Sequence, residues 1–441
     1  MPTPIEKRYI DLHPKSAALH AQSQKIFPNG VTHETRRLSP FPYFITHAEG
    51  AYKWDVDGHK IIDFRTGHGS MILGHSHPDV VKAVTEQMMK GTHYSGSTDL
   101  EIRWGQLVKD LVPCAEKVRF TNSGTEATMM AFRICRAFTG KSKIIKFNEH
   151  FHGWHDYAVA DTKNLTGIPK GTLASMVVLE ANDIALVEKT LREDKDIAAI
   201  ILEPTGAHMG EEPIIPSFLK ELRDVTKKYG VILIFDEVVT GFRISRGGAS
   251  AHYGVTPDMT TLAKILGGGL PGGAVAGKAE ILEMIEAKGN PDHDRNRMLH
   301  TGTFNGNPLS AAAGVTALNL VKTTPVNEKA NAAAARWKKG VNEILRKMEI
   351  PGCANGVAST AFVRYGVAHE CDHEICVLTH EQMAAAKNPA RNSQIGLALF
   401  NNGVDTSSRY LFSQAHTDEV IDKSLEIFEK SLREVRAQGL V

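Results

Sequence analysis

The chain of 441 residues is too long for one small core and points to a large domain with a smaller one beside it. Apolar residues make up 42% and charged ones 23%, and 51 basic against 50 acidic side chains leave a net charge of +1. That balance creates no surface-wide field, so neither nucleic acid nor an anionic membrane is expected as a partner. The five cysteines, Cys114, Cys135, Cys353, Cys371 and Cys376, are scattered and form no Cys-x-x-Cys pair, which argues against a disulfide framework or a zinc finger. Residues 1–11 are polar, without the apolar stretch of a signal peptide. The longest apolar runs, 197–202 and 231–235, are too short to span a bilayer. A cytoplasmic location is the expectation.

The first sixty residues read as an N-terminal arm with a helix and a short antiparallel piece, two strands around the Asp57-Gly58 turn. From about residue 75 to 320, short apolar runs alternate with longer amphipathic ones. The segments 118–121, 143–147, 198–202 and 231–235 are strand candidates, and 125–138 and 217–229 are helical. Alternation of this kind predicts an α/β fold with a mostly parallel sheet covered on both faces. Long helical patterns at 327–348 and 418–438 with a few strands predict a smaller α+β domain. The expected boundaries are 1–65 for the arm and part of the small domain, 66–320 for the large domain and 321–441 for the C-terminal small domain.

Four segments carry chemistry. Asn122-Ser-Gly-Thr-Glu126 follows a strand and opens a helix, so its N–H groups and hydroxyls suit a phosphate, although a plain helix cap explains the same residues. Asp236 follows an apolar strand, at the edge where α/β sheets bind ligands. Lys264 lies twenty-eight residues further on, ahead of Gly267-Gly-Gly-Leu-Pro-Gly-Gly273, whose glycines clear side chains from around it. A buried lysine amine becomes a nucleophile and proton carrier. His300-Thr-Gly-Thr-Phe-Asn-Gly-Asn-Pro308 is a second loop rich in glycine and hydroxyls, and as a plain reading it is a capped turn.

In order and spacing, Phe120-Thr-Asn-Ser-Gly-Thr-Glu-Ala127, Phe151-His-Gly153, Glu203-Pro204, Phe235-Asp-Glu-Val238, Gly241-Phe-Arg243, Lys264-Ile-Leu-Gly-Gly-Gly269 and Gly302-Thr-Phe-Asn-Gly-Asn-Pro308 resemble the class III (subgroup II) aminotransferases of pyridoxal-phosphate (PLP) fold type I. The resemblance spans most of the chain and is nearest to glutamate-1-semialdehyde 2,1-aminomutase and D-phenylglycine-type aminotransferases. It implies a large domain with a seven-stranded-type sheet and PLP held as a Schiff base on Lys264, with Asp236 pairing with the ring nitrogen. Ser123, Gly124 and Thr125 would hold the phosphate, and Thr303 would reach it from the neighbouring subunit of a homodimer with shared active sites. Phe151, where the family more often has tyrosine, would stack on the ring and Val238 would pack on its other face. His152 and His208 complete the cofactor set. Arg36 in Gly30-Val-Thr-His-Glu-Thr-Arg36 would grip a substrate carboxylate, with Arg37 and Arg409 as competitors and Glu203 also on the substrate side.

The reading this supports is an aminotransferase moving an amino group from a carboxylate-bearing amino acid, a β-amino or D-aromatic one among the candidates, to a keto acid. The alternative is the aminomutase itself, which returns the amino group to a neighbouring carbon of the same molecule. Two departures from the aminomutase pattern favour the first reading. The stretch 161–176 is shorter than that enzyme's gating loop, and Ser407-Ser-Arg-Tyr-Leu-Phe412 lacks its acidic residue. No metal site is expected: His369-Glu-Cys-Asp-His-Glu-Ile-Cys376 matches no zinc spacing. Glycines at 67, 69 and 74 do not give the dinucleotide-binding spacing. A regulatory, non-catalytic PLP binder lacks support because the lysine, the acid and the phosphate loop all stand in place.

Overall fold

The computed structural model describes residues 1–162, 164–367, 374–376, 378–407 and 409–440. The chain divides into two compact units. The first comprises 1–66, 73–77 and 328–441, and the second 67–72 and 78–327.

The second unit is built on seven strands: β1 (Lys117–Thr121), β2 (Lys143–Phe147), β3 (Met176–Leu179), β4 (Ile197–Leu202), β5 (Ile232–Asp236), β6 (Met259–Ala263) and β7 (Gly273–Gly277). Their order is β1-β7-β6-β5-β4-β2-β3, and β7 alone among them runs antiparallel to its neighbours. Strands β4, β5 and β6 are buried along their whole length, and β4 and most of β5 accordingly read as apolar runs, while β6 carries Thr260 and Thr261 inside. One face is covered by the helix Gly124–Thr139 through Ala127, Met130, Ala131 and Ile134. The other is covered by Ile184–Glu193 and Pro216–Tyr229 through Val187, Leu191, Phe218 and Leu222. Both Gly124–Thr139 and Pro216–Tyr229 stop at a glycine in the left-handed region, Gly140 and Gly230, as helix ends commonly do. Phe138, four residues after Ile134 on the same helix, is 40% exposed and lies outside that core.

Because β1 and β6 flank the reversed strand β7, β1 shares the direction of the parallel set. The carboxyl ends of β1, β2, β4, β5 and β6 therefore open onto one edge, and the segments that follow them are 122–125, 148–153, 203–208, 237–238 and 264.

The first unit contains a four-stranded sheet in the order Ile45–Glu49, Tyr52–Asp55, Lys60–Asp63, Val404–Asp405 and a three-stranded sheet of Gly352–Asn355, Thr360–Tyr365 and Arg409–Leu411. The last short strand of the larger sheet runs parallel to Lys60–Asp63, so N-terminal and C-terminal segments share one sheet. Trp337, Phe64, Tyr410, Phe412 and Phe428 form the aromatic centre of its core. Among the described residues no helix is long and apolar enough to cross a membrane.

Candidate active site

Asp236 ends β5 with its side chain buried. Its Oδ2 lies 2.7 Å from His152 Nδ1, while Oδ1 accepts from the Thr261 hydroxyl and the Val238 N–H, each at 3.1 Å. Thr261 reaches it because the parallel register of β5 and β6 places Thr261 directly opposite Asp236. Burial pushes the Asp236 carboxyl up to about 6, against the lowering pull of the Val238 N–H, the Lys264 charge and the Thr261 hydroxyl. Burial also drives His152 well below its ordinary value, so the ring is neutral. Its Nδ1 then donates to Asp236 and Nε2 carries the lone pair; Nε2 is buried without a hydrogen-bond partner among the described residues.

Lys264 follows β6 directly, at φ +52. A left-handed backbone costs a non-glycine residue energy and needs surroundings that hold it there, a condition that recurs at functional sites. Gly267 and Gly268 follow after Ile265 and Leu266, and a Cβ on Gly268 would stand 2.5 Å from the Ala313 carbonyl oxygen.

Ser123 is the N-cap of the helix Gly124–Thr139, its Oγ accepting from the Glu126 N–H at 3.1 Å, while Glu126 Oε2 accepts from the Asn122 N–H at 2.8 Å. The plain reading as a cap is thus correct, and it leaves the N–H groups of Gly124 and Thr125 without intrahelical partners. These residues are only half-buried. A Cβ on Gly124 would lie 2.9 Å from both methyls of Val238, and one on Gly153 would lie 2.7 Å from Thr125 Oγ1. Each glycine keeps a narrow space open beside a residue of the expected cofactor set.

Phe151 is 59% exposed, and its N–H donates to Glu203 Oε1 at 2.9 Å. The N–H groups of His208 and Met209 donate to Oε1 and Oε2 of the same carboxylate, each at 3.0 Å. Buried Glu203 therefore spends both oxygens on backbone, joining the segment after β2 to the segment after β4. The sequence expectation put it on the substrate side; the contacts it makes are those of a loop organiser. Thr303 is exposed in a loop tied to the helix start through Asn122 Nδ2, which donates to Asn305 Oδ1 at 3.2 Å.

Eleven expected residues, Ser123, Gly124, Thr125, Phe151, His152, Glu203, His208, Asp236, Val238, Lys264 and Thr303, thus belong to the second unit, at strand ends or in the 301–307 loop. Arg36 and Arg409 belong to the first unit. Arg36 is exposed, its guanidinium donating to Thr32 Oγ1 at 2.7 Å, and Arg409 begins a strand of the smaller sheet. The histidine and cysteine segment at 369–376 lies largely outside the described residues. Sequence reasoning assigned no role to Thr261, or to His150, whose Nδ1 accepts from the Glu203 N–H at 2.9 Å. The signal for Thr261 was a polar side chain inside a buried strand, meaningful only once the register was known.

These residues fit a pyridoxal phosphate. A buried carboxylate among neutral donors suits a protonated ring nitrogen, a half-buried helix start suits a phosphate, and a strained lysine sits beside both. A mixed seven-stranded sheet with this arrangement at its carboxyl edge defines a PLP-dependent enzyme of fold type I.

Residues 34–432 match the family described as aminotransferase class-III, and the chain belongs to that family. It is 37% identical to the glutamate-1-semialdehyde 2,1-aminomutase of Methanothrix thermoacetophila over 95% of this chain and 96% of that protein. Its fold matches an ω-transaminase from Sphaerobacter thermophilus with a TM-score of 0.87 and 32% identity, covering 96% of this chain and 98% of the other. A transaminase solved with PLP bound matches with a TM-score of 0.86 and 29% identity, covering 97% and 99%.

Proposed function

We propose that this PLP enzyme moves an amino group within a small carboxylate-bearing substrate, in the manner of glutamate-1-semialdehyde 2,1-aminomutase. The observation that carries this reading is that the relative from Methanothrix, and others at 35% and 41% identity, bear that name. It reverses the preference drawn from the sequence. A second reading, intermolecular transfer from a β-amino or D-aromatic acid to a keto acid, draws support from the Sphaerobacter ω-transaminase and from the short 161–176 stretch.

PLP supplies an aldehyde that condenses with amino groups and a ring that takes up electron density from the adjoining carbon. Lys264 Nζ is the attachment amine in both readings. With the cofactor bound, Nζ would be placed to take and return the proton at the amino-bearing carbon of the substrate. Asp236 would pair with the ring nitrogen, and His152 orients that carboxylate through its Nδ1–H. Ser123, Gly124 and Thr125 would hold the phosphate, and Phe151, Val238 and His208 would contact the ring. Arg36 binds the substrate carboxylate, with Arg409 as the competing candidate. We further propose a homodimer in which Thr303 completes the partner's phosphate site. The 62% and 58% exposure of Leu299 and Phe304 around that loop supports a covered face there.

The deciding experiment incubates PLP-loaded protein with glutamate 1-semialdehyde, and separately with α-, β- and D-amino acids, in the absence of any acceptor. Catalytic conversion of the semialdehyde to its isomer establishes the aminomutase. Stoichiometric release of a keto product from one amino acid class, with no isomer formed, establishes the transaminase instead. Lys264→Ala abolishes turnover in either case, and normal turnover in that variant overturns both.

A further inference from the structure

In the first unit, His13 separates the helices Pro4–Leu12 and Pro14–Ser23. Its ring is buried and stacks on Tyr9, with centroids 4.3 Å apart. His13 Nδ1 lies 2.7 Å from the Tyr9 carbonyl oxygen. A carbonyl only accepts, so Nδ1 carries a hydrogen and Nε2 presents its lone pair when the ring is neutral. That lone pair faces Asp55 Oδ2 at 3.4 Å. The same Oδ2 lies 2.8 Å from His59 Nδ1, and Asp55 Oδ1 accepts from the His59 N–H at 2.8 Å. One carboxylate oxygen is thus fixed by the turn while the other is shared between two imidazoles. The three facing atoms lie within 4.8 Å of one another.

We propose that His13 Nε2, Asp55 Oδ2 and His59 Nδ1 form a site for a divalent cation of the zinc class. Two imidazoles and a carboxylate are a donor set that Zn²⁺ and its transition-metal neighbours accept, with water in the remaining position. Ligands about 2.1 Å from a tetrahedral centre stand about 3.4 Å apart, and the His13–Asp55 separation has that value. His59 stands closer to Asp55 than this, but its partly exposed ring can withdraw. The hydrogen bond from the far nitrogen of His13 to a backbone carbonyl is the outer contact that metal-bound imidazoles commonly make, and it fixes the tautomer that leaves Nε2 free to ligate. A protonated His13 paired with Asp55 is the competing arrangement; at 3.4 Å the contact is long for a charge-assisted hydrogen bond.

A cation here would join the N-terminal helices to the hairpin of Tyr52–Asp55 and Lys60–Asp63. Asp57, in the turn of that hairpin, already accepts from the N–H groups of Lys15 and Ser16 at 2.7 and 3.1 Å. Because the ligands converge only in the folded chain, binding stabilises it.

The test uses untagged, PLP-loaded protein stripped with a chelator and titrated with Co²⁺, then Zn²⁺. One equivalent of Co²⁺ should give visible d–d absorption that Zn²⁺ abolishes, and Zn²⁺ should raise Tm. His59→Gln, in a partly exposed turn, should keep the metal-free Tm and weaken that Co²⁺ site by about 100-fold or more. Should His59→Gln lower the metal-free Tm, His59→Asn serves as the second variant for the same reading. Absence of the Co²⁺ spectrum at millimolar metal overturns the proposal, as does unchanged stoichiometry and affinity in the variants.

Discussion

Asp236 in the second unit and Asp405 in the first are both buried carboxylates at strand ends, in opposite electrostatic surroundings. Asp405 accepts from Arg65 Nε at 3.0 Å, from Lys53 Nζ and from the Tyr43 hydroxyl. Nearby Asp63 accepts from Lys53 Nζ at 3.1 Å and faces His75 Nε2 at 2.7 Å. Burial alone would raise both acids, yet Arg65 and Lys53 hold Asp405 below its ordinary value, and Lys53 and His75 do the same for Asp63. Asp236 has only neutral hydrogen-bond donors, and burial wins. The first arrangement is complete in itself and ties strands together. The second carries no charged hydrogen-bond partner, so a cation such as the ring nitrogen proposed to face it would offset its burial, which is the difference expected between a structural carboxylate and a binding one.

The strongest way to break this contrast is Asp236→Asn. Loss of the charge opposite the ring nitrogen should lower kcat by about 10³-fold or more. Cofactor-free protein should respond in the other direction. With its folded value near 6 against an ordinary 3.8, Asp236 is protonated in both states at low pH; as pH rises through 4 to 6 it costs the folded state up to about 3 kcal/mol. Urea midpoints of cofactor-free protein should therefore carry a decline over that window that Asp236→Asn lacks. Asp63 and Asp405 act oppositely: their contribution is present above the unfolded carboxylate range and fades as pH falls below it. Equal midpoints in both proteins across that window would refute the account of Asp236.

Lys53→Met tests the other side. It strands two buried carboxylates and should cost about 3–5 kcal/mol, read as a lowered Tm at neutral pH. A loss under 1 kcal/mol would mean that Arg65 and His75 suffice.

Much of this was legible in the sequence, for identifiable reasons. Strands β2, β4 and β5 are rich in β-branched residues and buried on both faces, so they stood out. Strand β7 did not, since two of its five residues are glycines. A Cβ on Gly273 would lie 2.3 Å from the Ser123 carbonyl oxygen, so close packing beside the 122–125 turn excludes the side chains that mark a strand. Lys264, Asp236 and Ser123 could be read because a motif follows each strand end. The task of Glu203 could not, because the N–H of Phe151, 52 residues away in sequence, meets those of His208 and Met209 on its carboxylate only in the fold.

Gly124→Ala sharpens the geometry of the site. Alanine is otherwise favoured near a helix start, but this Cβ would press on both Val238 methyls at 2.9 Å. PLP affinity should fall about 10-fold. The double variant with Val238→Ala should recover part of it, and simple additivity would show that the two do not share one constraint.

The smallest expected effect belongs to Thr261→Val, which keeps the shape and removes one hydroxyl from Asp236. A neutral hydrogen bond contributes about 1 kcal/mol, so PLP affinity should fall by about fivefold while Tm moves little. The sign is informative as well. Without the hydroxyl the carboxylate has less support, so the decline of stability in cofactor-free protein should keep its onset near the unfolded value but extend to higher pH. In a carboxylate surrounded by charge, as at Asp63 and Asp405, loss of one neutral donor would barely register. If Thr261→Val leaves both PLP affinity and the pH arm unchanged, Asp236 is better compensated than its contacts suggest, and the contrast between the two units loses its basis.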